Sequence, residues 1–175
     1  MESYTLELSP QRGPVHFALF QNVTNATELR KRSIDQDPTL GLCIIDAHMI
    51  LNKFHLLLAV NRALHDEQIK LKTNNVESEI AFSFGINNNI GKTFIAFGVK
   101  VETTDLMVIR VGSSTAQEAE AYIKERVEGE MVSFDHLASI RDMDAIKKIY
   151  QIDSQIQKED DIMSLISGAM ALKGH

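Results

Sequence analysis

The sequence predicts an α+β fold: a small, mostly antiparallel sheet, formed by an N-terminal hairpin plus a later strand or two, covered by six to eight helices. Three observations lead there. Two period-two segments near the start flank a cluster of turn residues. Several later segments combine helix caps with apolar spacings of three and four. One short run rich in Leu, Met, Ile and Val, at 105–111, lies between helical segments.

Taken in order, Tyr4, Leu6 and Leu8 alternate with Thr5 and Glu7, and Val15, Phe17 and Leu19 alternate with His16 and Ala18. Pro10-Gln11-Arg12-Gly13-Pro14 between them supplies a turn longer than the tightest hairpin type. Asn25 with Glu28 three residues on reads as a helix start, followed by the basic triplet Arg30-Lys31-Arg32. Residues 47–65 read as a broad apolar helix, with Ile50, Phe54, Leu57 and Leu64 on one stripe and Asn52, His55 and Arg62 on another. Asn88 or Asn89 can cap a helix carrying Ile90, Phe94 and Phe97, with Gly98 as a left-handed stop. After the strand at 105–111, Gly112-Ser113 turns into two overlapping capping boxes, Ser114 to Gln117 and Thr115 to Glu118. The helix they open should bury Ala116, Ala119, Ile123 and Val127 and stop at Gly129. A short strand follows at 131–133. Leu137, Ile140, Ile146 and Ile149 mark a helical region interrupted near Asp142, and Ile162, Leu165, Ile166, Ala169 and Leu172 stripe a last helix. Prolines at 10, 14 and 38 only, with no long Gly/Ser linker and no repeat, predict one domain over 1–175.

Composition narrows the function classes. A 44% hydrophobic content supports a packed core and excludes disorder as the main state. The longest purely apolar run, Leu56 to Val60, is far short of the ~20 residues that cross a bilayer, and the first residues lack the basic and apolar regions of a signal peptide. No membrane association is expected, and a reducing compartment, cytoplasm or nucleus, fits the lone cysteine. Cys43, within Leu42-Cys43-Ile44-Ile45, is expected to be a buried small hydrophobe rather than a nucleophile. The net charge of -6 argues against tight autonomous nucleic-acid binding. Residues 1–100 balance ten basic against ten acidic groups while 101–175 carry eight and fourteen, so any RNA contact belongs to the first hundred residues.

Chemistry-bearing motifs are few. Gly85 to Gly91-Lys92-Thr93 resembles a phosphate loop, but five residues separate the glycines where four are needed, and Ile86 and Ile90 are bulky. A small nucleotide-binding enzyme built on 85–93 is the alternative reading. His48 and His55 show no metal-ligand spacing, so neither a metal nor another cofactor is expected. Around Lys70, Lys72, Phe82, Phe84 and Asn87-Asn88-Asn89, basic groups, aromatics and amides stand close together. That mixture suits single-stranded RNA; the competing reading has the phenylalanines in the core and the lysines merely solvated.

Ser78-Glu79-Ile80-Ala81-Phe82, Asn87-Asn88-Asn89-Ile90 and Phe97-Gly98-Val99 together resemble the small regulatory subunit of the KEOPS/EKC complex, the PRPK-binding protein family. Leu19-Phe20, Asn22-Val23, Asn25-Ala26 and Leu29-Arg30 fit the same pattern, as do Val127-Glu128-Gly129 and Lys148-Ile149-Tyr150, so the likeness runs from about residue 4 to 170. The resemblance implies a non-catalytic subunit that binds an atypical small protein kinase acting as an ATPase. Through that kinase it joins the complex that makes threonylcarbamoyl-adenosine beside the tRNA anticodon. It also implies assistance in tRNA delivery, by a grip on the single-stranded 3′ end in archaeal relatives. Where the archaeal pattern has Gln-Arg-Gln, this chain has Asn87-Asn88-Asn89, a departure that weakens the expected direct RNA contact. The resemblance further assigns Val76, Ile80 and Phe84 to a helix, although Ile80, Phe82, Phe84 and Ile86 alternate like a strand. The last helix's apolar stripe, little interrupted by charge, makes Ile162, Leu165, Ile166 and Ala169 the expected kinase contacts, the competing reading being that the stripe packs on the molecule's own sheet; Lys70, Lys72, Asn88 and Asn89 are the expected RNA contacts.

Overall fold

The computed structural model describes residues 1–112 and 115–173; the Ser114 capping box and the Gly112-Ser113 turn lie outside the described residues. Its sheet has five antiparallel strands: β1 (Glu2–Thr5), β2 (Pro14–Gln21), β3 (Cys43–Asp46), β4 (Leu106–Val111) and β5 (Glu130–Val132). The path runs β1-β2-β4-β3. β1 pairs with the first half of β2, from Glu2 opposite Phe17 to Thr5 opposite Pro14. β5 pairs with the end of β2, Leu19 opposite Val132, while β4 runs along β2 from Val15 to Phe20.

Eight α-helices are described: α1 (Ala26–Ile34), α2 (Lys53–Ile69), α3 (Val76–Ser83), α4 (Ile90–Phe97), α5 (Ala116–Arg126), α6 (Leu137–Ile140), α7 (Met143–Ile149) and α8 (Glu159–Ala171). They cover both faces of the sheet. Val15, Phe17, Leu19, Ile45, Met107 and Ile109 pack into a larger core with residues of α2, α3 and α6–α8. Ala18, Phe20, Ile44, Leu106 and Val108 pack on the other side with Leu29 of α1 and Ile123 of α5. Successive strand residues point to opposite faces, so a strand covered on both sides is buried throughout. This is why β2 is buried from Val15 to Phe20, including the His16 and Ala18 positions that alternation alone would leave exposed.

Several local expectations hold. Asn89 Oδ1 accepts the Lys92 N–H and caps α4; Thr115 and Glu118 complete a capping box on α5; Asp142 caps α7 at the interruption after α6. α3 is a helix, capped by Asn75.

Other expectations are corrected. β1 stops at Thr5, because the Ser9 N–H turns back to the Leu6 carbonyl (3.1 Å), leaving Leu6 buried and Leu8 exposed. Asn25 does not cap α1 with its side chain; it bonds the Arg126 carbonyl and the Glu128 N–H instead, tying α1 to the end of α5. α2 begins at Lys53 behind an Asn52 cap, with residues 47–49 in a 3-10 turn. Its buried face is His55, Leu56, Ala59, Val60, Ala63 and Leu64, whereas Phe54 is half exposed. Gly98 has φ −71°, not a left-handed value. A side chain there is barred by contact instead, since an added Cβ would lie 2.4 Å from the Phe94 carbonyl oxygen. Ala116 is exposed, one turn too early to reach the sheet.

Candidate partner and nucleic-acid surfaces

α8 begins with Glu159, Asp160 and Asp161, whose charges suit the positive end of a helix dipole. Glu159 is anchored: Arg141 Nη2 donates to it at 2.9 Å and Asn52 Nδ2 at 3.1 Å, and these two hold its carboxyl below the usual range. Along the helix, Ile162, Met163, Ile166 and Met170 face the core. Ile162 and Ile166 are completely buried, so two of the four expected kinase contacts hold α8 onto its own sheet. The structure puts Ala169 at the boundary and Leu165 outward, 46% exposed. On a different flank of α8 from Leu165, a shallow cleft of about 310 Å³ opens between Phe54 of α2 and Asp160, Met163, Ser164 and Ser167.

The amide and basic residues collect at the other end of α2. Lys70 is its C-cap and is exposed. Lys72 reaches across to the loop before α4, where its Nζ donates to Asn88 Oδ1 at 3.3 Å. Asn87 Oδ1 accepts the Asn89 N–H, and Asn89 is spent as the α4 cap. The fold therefore brings Lys72 and Asn88 together, places Lys70 two residues away, and leaves Asn89 mainly a structural task. Phe82 and Phe84 are buried and offer no stacking face.

Beneath this patch lies a centre that the sequence reading did not include. Glu79 of α3 is fully buried. Its Oε2 accepts the N–H groups of Lys72 (3.0 Å) and Thr73 (2.8 Å) and the Thr73 hydroxyl (2.7 Å), which fixes the turn carrying Lys72. Its Oε1 has no hydrogen-bond partner. Lys173, just past α8, is 4% exposed; its ammonium sits 3.3 Å from the centre of the Phe82 ring and donates to the Phe82 carbonyl. Arg62 of α2 donates to the Lys173 carbonyl at 3.3 Å while paired with Asp66. Burial first, then Lys72 and Arg62, push Lys173 down to about 7 against the pull of Glu79 and Asp66. A sequence signal existed. Ile162, Ile166, Met170 and Lys173 continue one helical stripe at spacings of four, four and three, and the charge disguised the last member.

The phosphate-loop look-alike is occupied by its own contacts. It follows a helix, α3, rather than a strand. The Gly85, Asn89, Lys92 and Thr93 N–H groups bond to Phe82 O, Asn87 Oδ1, Asn89 Oδ1 and Asn89 O, so they do not converge on a ligand. Gly85 packs against Thr93, whose hydroxyl would stand 2.3 Å from an added Cβ. Cys43 is buried and its thiol is pushed up by burial, consistent with a packing role. Among the described residues, no group of three or more His, Cys, Asp or Glu is placed to hold a metal ion, and no helix is long and apolar enough to cross a membrane. A groove of about 900 Å³ lies between α1, β3, α3 and α4, lined in part by exposed Ile34, Ile95 and Val101.

A family model described as Kinase binding protein CGI-121 matches residues 20–174. The chain belongs to the CGI-121 family. Among curated relatives, the EKC/KEOPS complex subunit cgi121 of Aspergillus terreus is 38% identical over 97% of this chain and 96% of its own length. The EKC/KEOPS complex subunit TPRKB of Danio rerio is 31% identical, with 89% and 88% covered, and the Schizosaccharomyces pombe subunit cgi121 is 30% identical, with 92% and 94% covered. The CGI-121 match runs from the last two residues of β2 through α8, and so includes both surfaces described above.

Proposed function

We propose that the protein is a non-catalytic subunit of a KEOPS/EKC complex, a single domain that binds the kinase-like ATPase and assists tRNA recruitment for threonylcarbamoyl-adenosine formation. The family description and the names of the relatives support the kinase and the assembly. In this reading the protein needs no cofactor of its own and works in cytoplasm and nucleus. The single observation that carries the docking role is the division of α8 into two faces. One is locked into the core by Ile162 and Ile166; the other turns Leu165 to solvent, 46% exposed. A half-exposed leucine on a helix already anchored elsewhere stabilises little within the monomer, so its apolar surface is available to a partner.

The test is Leu165→Glu in a pull-down with the partner kinase. The variant is expected to keep its circular dichroism spectrum and lose the kinase. Retention of the kinase by a folded variant refutes docking through this face. The tRNA contact is assigned to Lys70, Lys72 and Asn88, with Asn89 shaping their loop. Reversing Lys72 to Glu should weaken RNA binding by the complex and reduce the dependence of log affinity on log salt by about one unit.

A further inference from the structure

We infer that the groove along the open edge of β3 binds an extended peptide, which adds to the sheet as a further strand, lays apolar side chains on Ile34, Ile95 and Val101, and sets a lysine or arginine against Glu77. The strand order ends at β3, so one edge of that strand has no strand beside it among the described residues. A single bridge, Ile45 opposite Gly98, touches that edge, and the groove opens where the bridge stops, with Gly41 to Ile44 along its floor. An unpaired edge is a template for another extended chain. The walls come from both layers that cover the sheet, α1 from one and α3 with α4 from the other. They place the edge at the bottom of a recess, which suits a single strand better than the edge of a second folded copy. At about 3.3 Å per residue, the four residues of β3 match a bound segment of about four to six residues.

Side-chain chemistry says what kind of peptide. Ile34, Ile95 and Val101 are 61%, 74% and 67% exposed, a concentration of uncovered apolar surface within one groove. Of the cations lining it, Arg32 is paired with Asp37 (2.7 Å) and Lys100 with Asp46 (3.2 Å), so both are offset within the molecule. Glu77 and Glu102 have no ion pair or hydrogen bond among the described residues, and Arg30 is the one unpaired cation that stands against them. Glu77 carries the argument furthest. It sits in the first turn of α3, only partly exposed, and after burial it is the next influence that pushes up the Cys43 thiol on the groove floor. Its carboxylate therefore bears on the inside of the recess, where an arriving cation is attracted more strongly than in open water. The same excess of negative charge opposes a phosphodiester chain.

The experiment pans a phage-displayed library of random heptapeptides against the full chain, then measures the enriched peptide, made synthetically, by fluorescence anisotropy. The expected consensus alternates apolar residues and carries a lysine or arginine. Ile95→Glu, at an exposed position, should weaken binding by about 10-fold or more. Glu77→Lys should weaken it by about 10-fold, and changing the basic residue of the peptide to glutamate should restore it. N-methylation at alternate peptide positions, those whose N–H faces β3, should abolish binding, while the intervening positions tolerate it. Leu165→Glu and Lys72→Glu, on other surfaces, should leave the affinity unchanged, which keeps this test separate from the kinase and tRNA readings. Failure to enrich such a consensus overturns the inference. So does binding that is indifferent to both Ile95→Glu and Glu77→Lys in variants folded by circular dichroism, or that tolerates N-methylation equally at every position. Displacement of the peptide by a tRNA transcript assigns the groove to RNA and overturns it as well.

Discussion

Two buried polar centres pin the same stretch of chain, the end of α3, and they are built oppositely. At Phe84, the pin is neutral and saturated. The Leu51 N–H donates to His55 Nδ1 (3.1 Å), so the proton sits on Nε2 and is shared with the Tyr150 oxygen (2.8 Å). The Tyr150 hydroxyl in turn donates to the Phe84 carbonyl (2.6 Å). Burial pushes His55 down to about 3 and raises Tyr150 well above its ordinary value, so neither changes charge near neutrality. At Phe82, the pin is Lys173, an amine that burial pushes down to about 7, above a Glu79 whose Oε1 has no partner. A saturated neutral chain specifies one packing and nothing more. The centre at Phe82 leaves one carboxylate oxygen of Glu79 without a partner, so it is less completely satisfied. The comparison separates a saturated lock from an incompletely satisfied one, two residues apart in sequence.

The sharpest way to break this contrast is pH. His55 is neutral when folded but titrates near 6.5 when exposed, so the unfolded chain binds the extra proton as pH falls. Stability should therefore drop by about 1.4 kcal/mol per pH unit on acidification between about 6.5 and 3, seen as a falling urea midpoint. A midpoint that stays level over pH 6 to 4 contradicts the assignment. Next in size, Tyr150→Phe strands the His55 Nε2–H and removes one donor from the Phe84 carbonyl. It should cost about 2–4 kcal/mol in urea denaturation. Lys173→Met removes a cation from the Phe82 ring and a donor from the Phe82 carbonyl and should cost about 1 kcal/mol in the same measurement. Smallest of all, Lys72→Glu at an exposed position should shift stability by less than about 0.5 kcal/mol while weakening RNA binding.

Four of the five strands and most helices were legible because caps and local periodicity act over a few residues; β3, a run of four buried residues with no alternation, was not. Thr115 with Glu118, Asn89 before Ile90 and Asp142 at the helical break all do in the structure what their spacing dictates. What failed depends on partners distant in sequence. Asn25 looks like a cap but is claimed by Arg126 and Glu128, about a hundred residues on. His55 looks polar-facing on α2, yet Leu51 and Tyr150 between them satisfy both ring nitrogens and make its full burial affordable. α8 shows the same limit at the candidate site. An apolar stripe reads alike whether it meets the molecule's own sheet or another protein; only the fold distinguishes Ile162 and Ile166 from Leu165.

The edge-sharing of β2 has a kinetic consequence. β2 is complete by Gln21, but β4 and β5 end only at Val111 and Val132. At ~5–20 residues per second, a translating ribosome leaves the apolar strand exposed for about 5–20 s before its last neighbour emerges. The nascent chain thus spends seconds with Phe17, Leu19 and Phe20 unshielded, an interval in which a chaperone has something to hold.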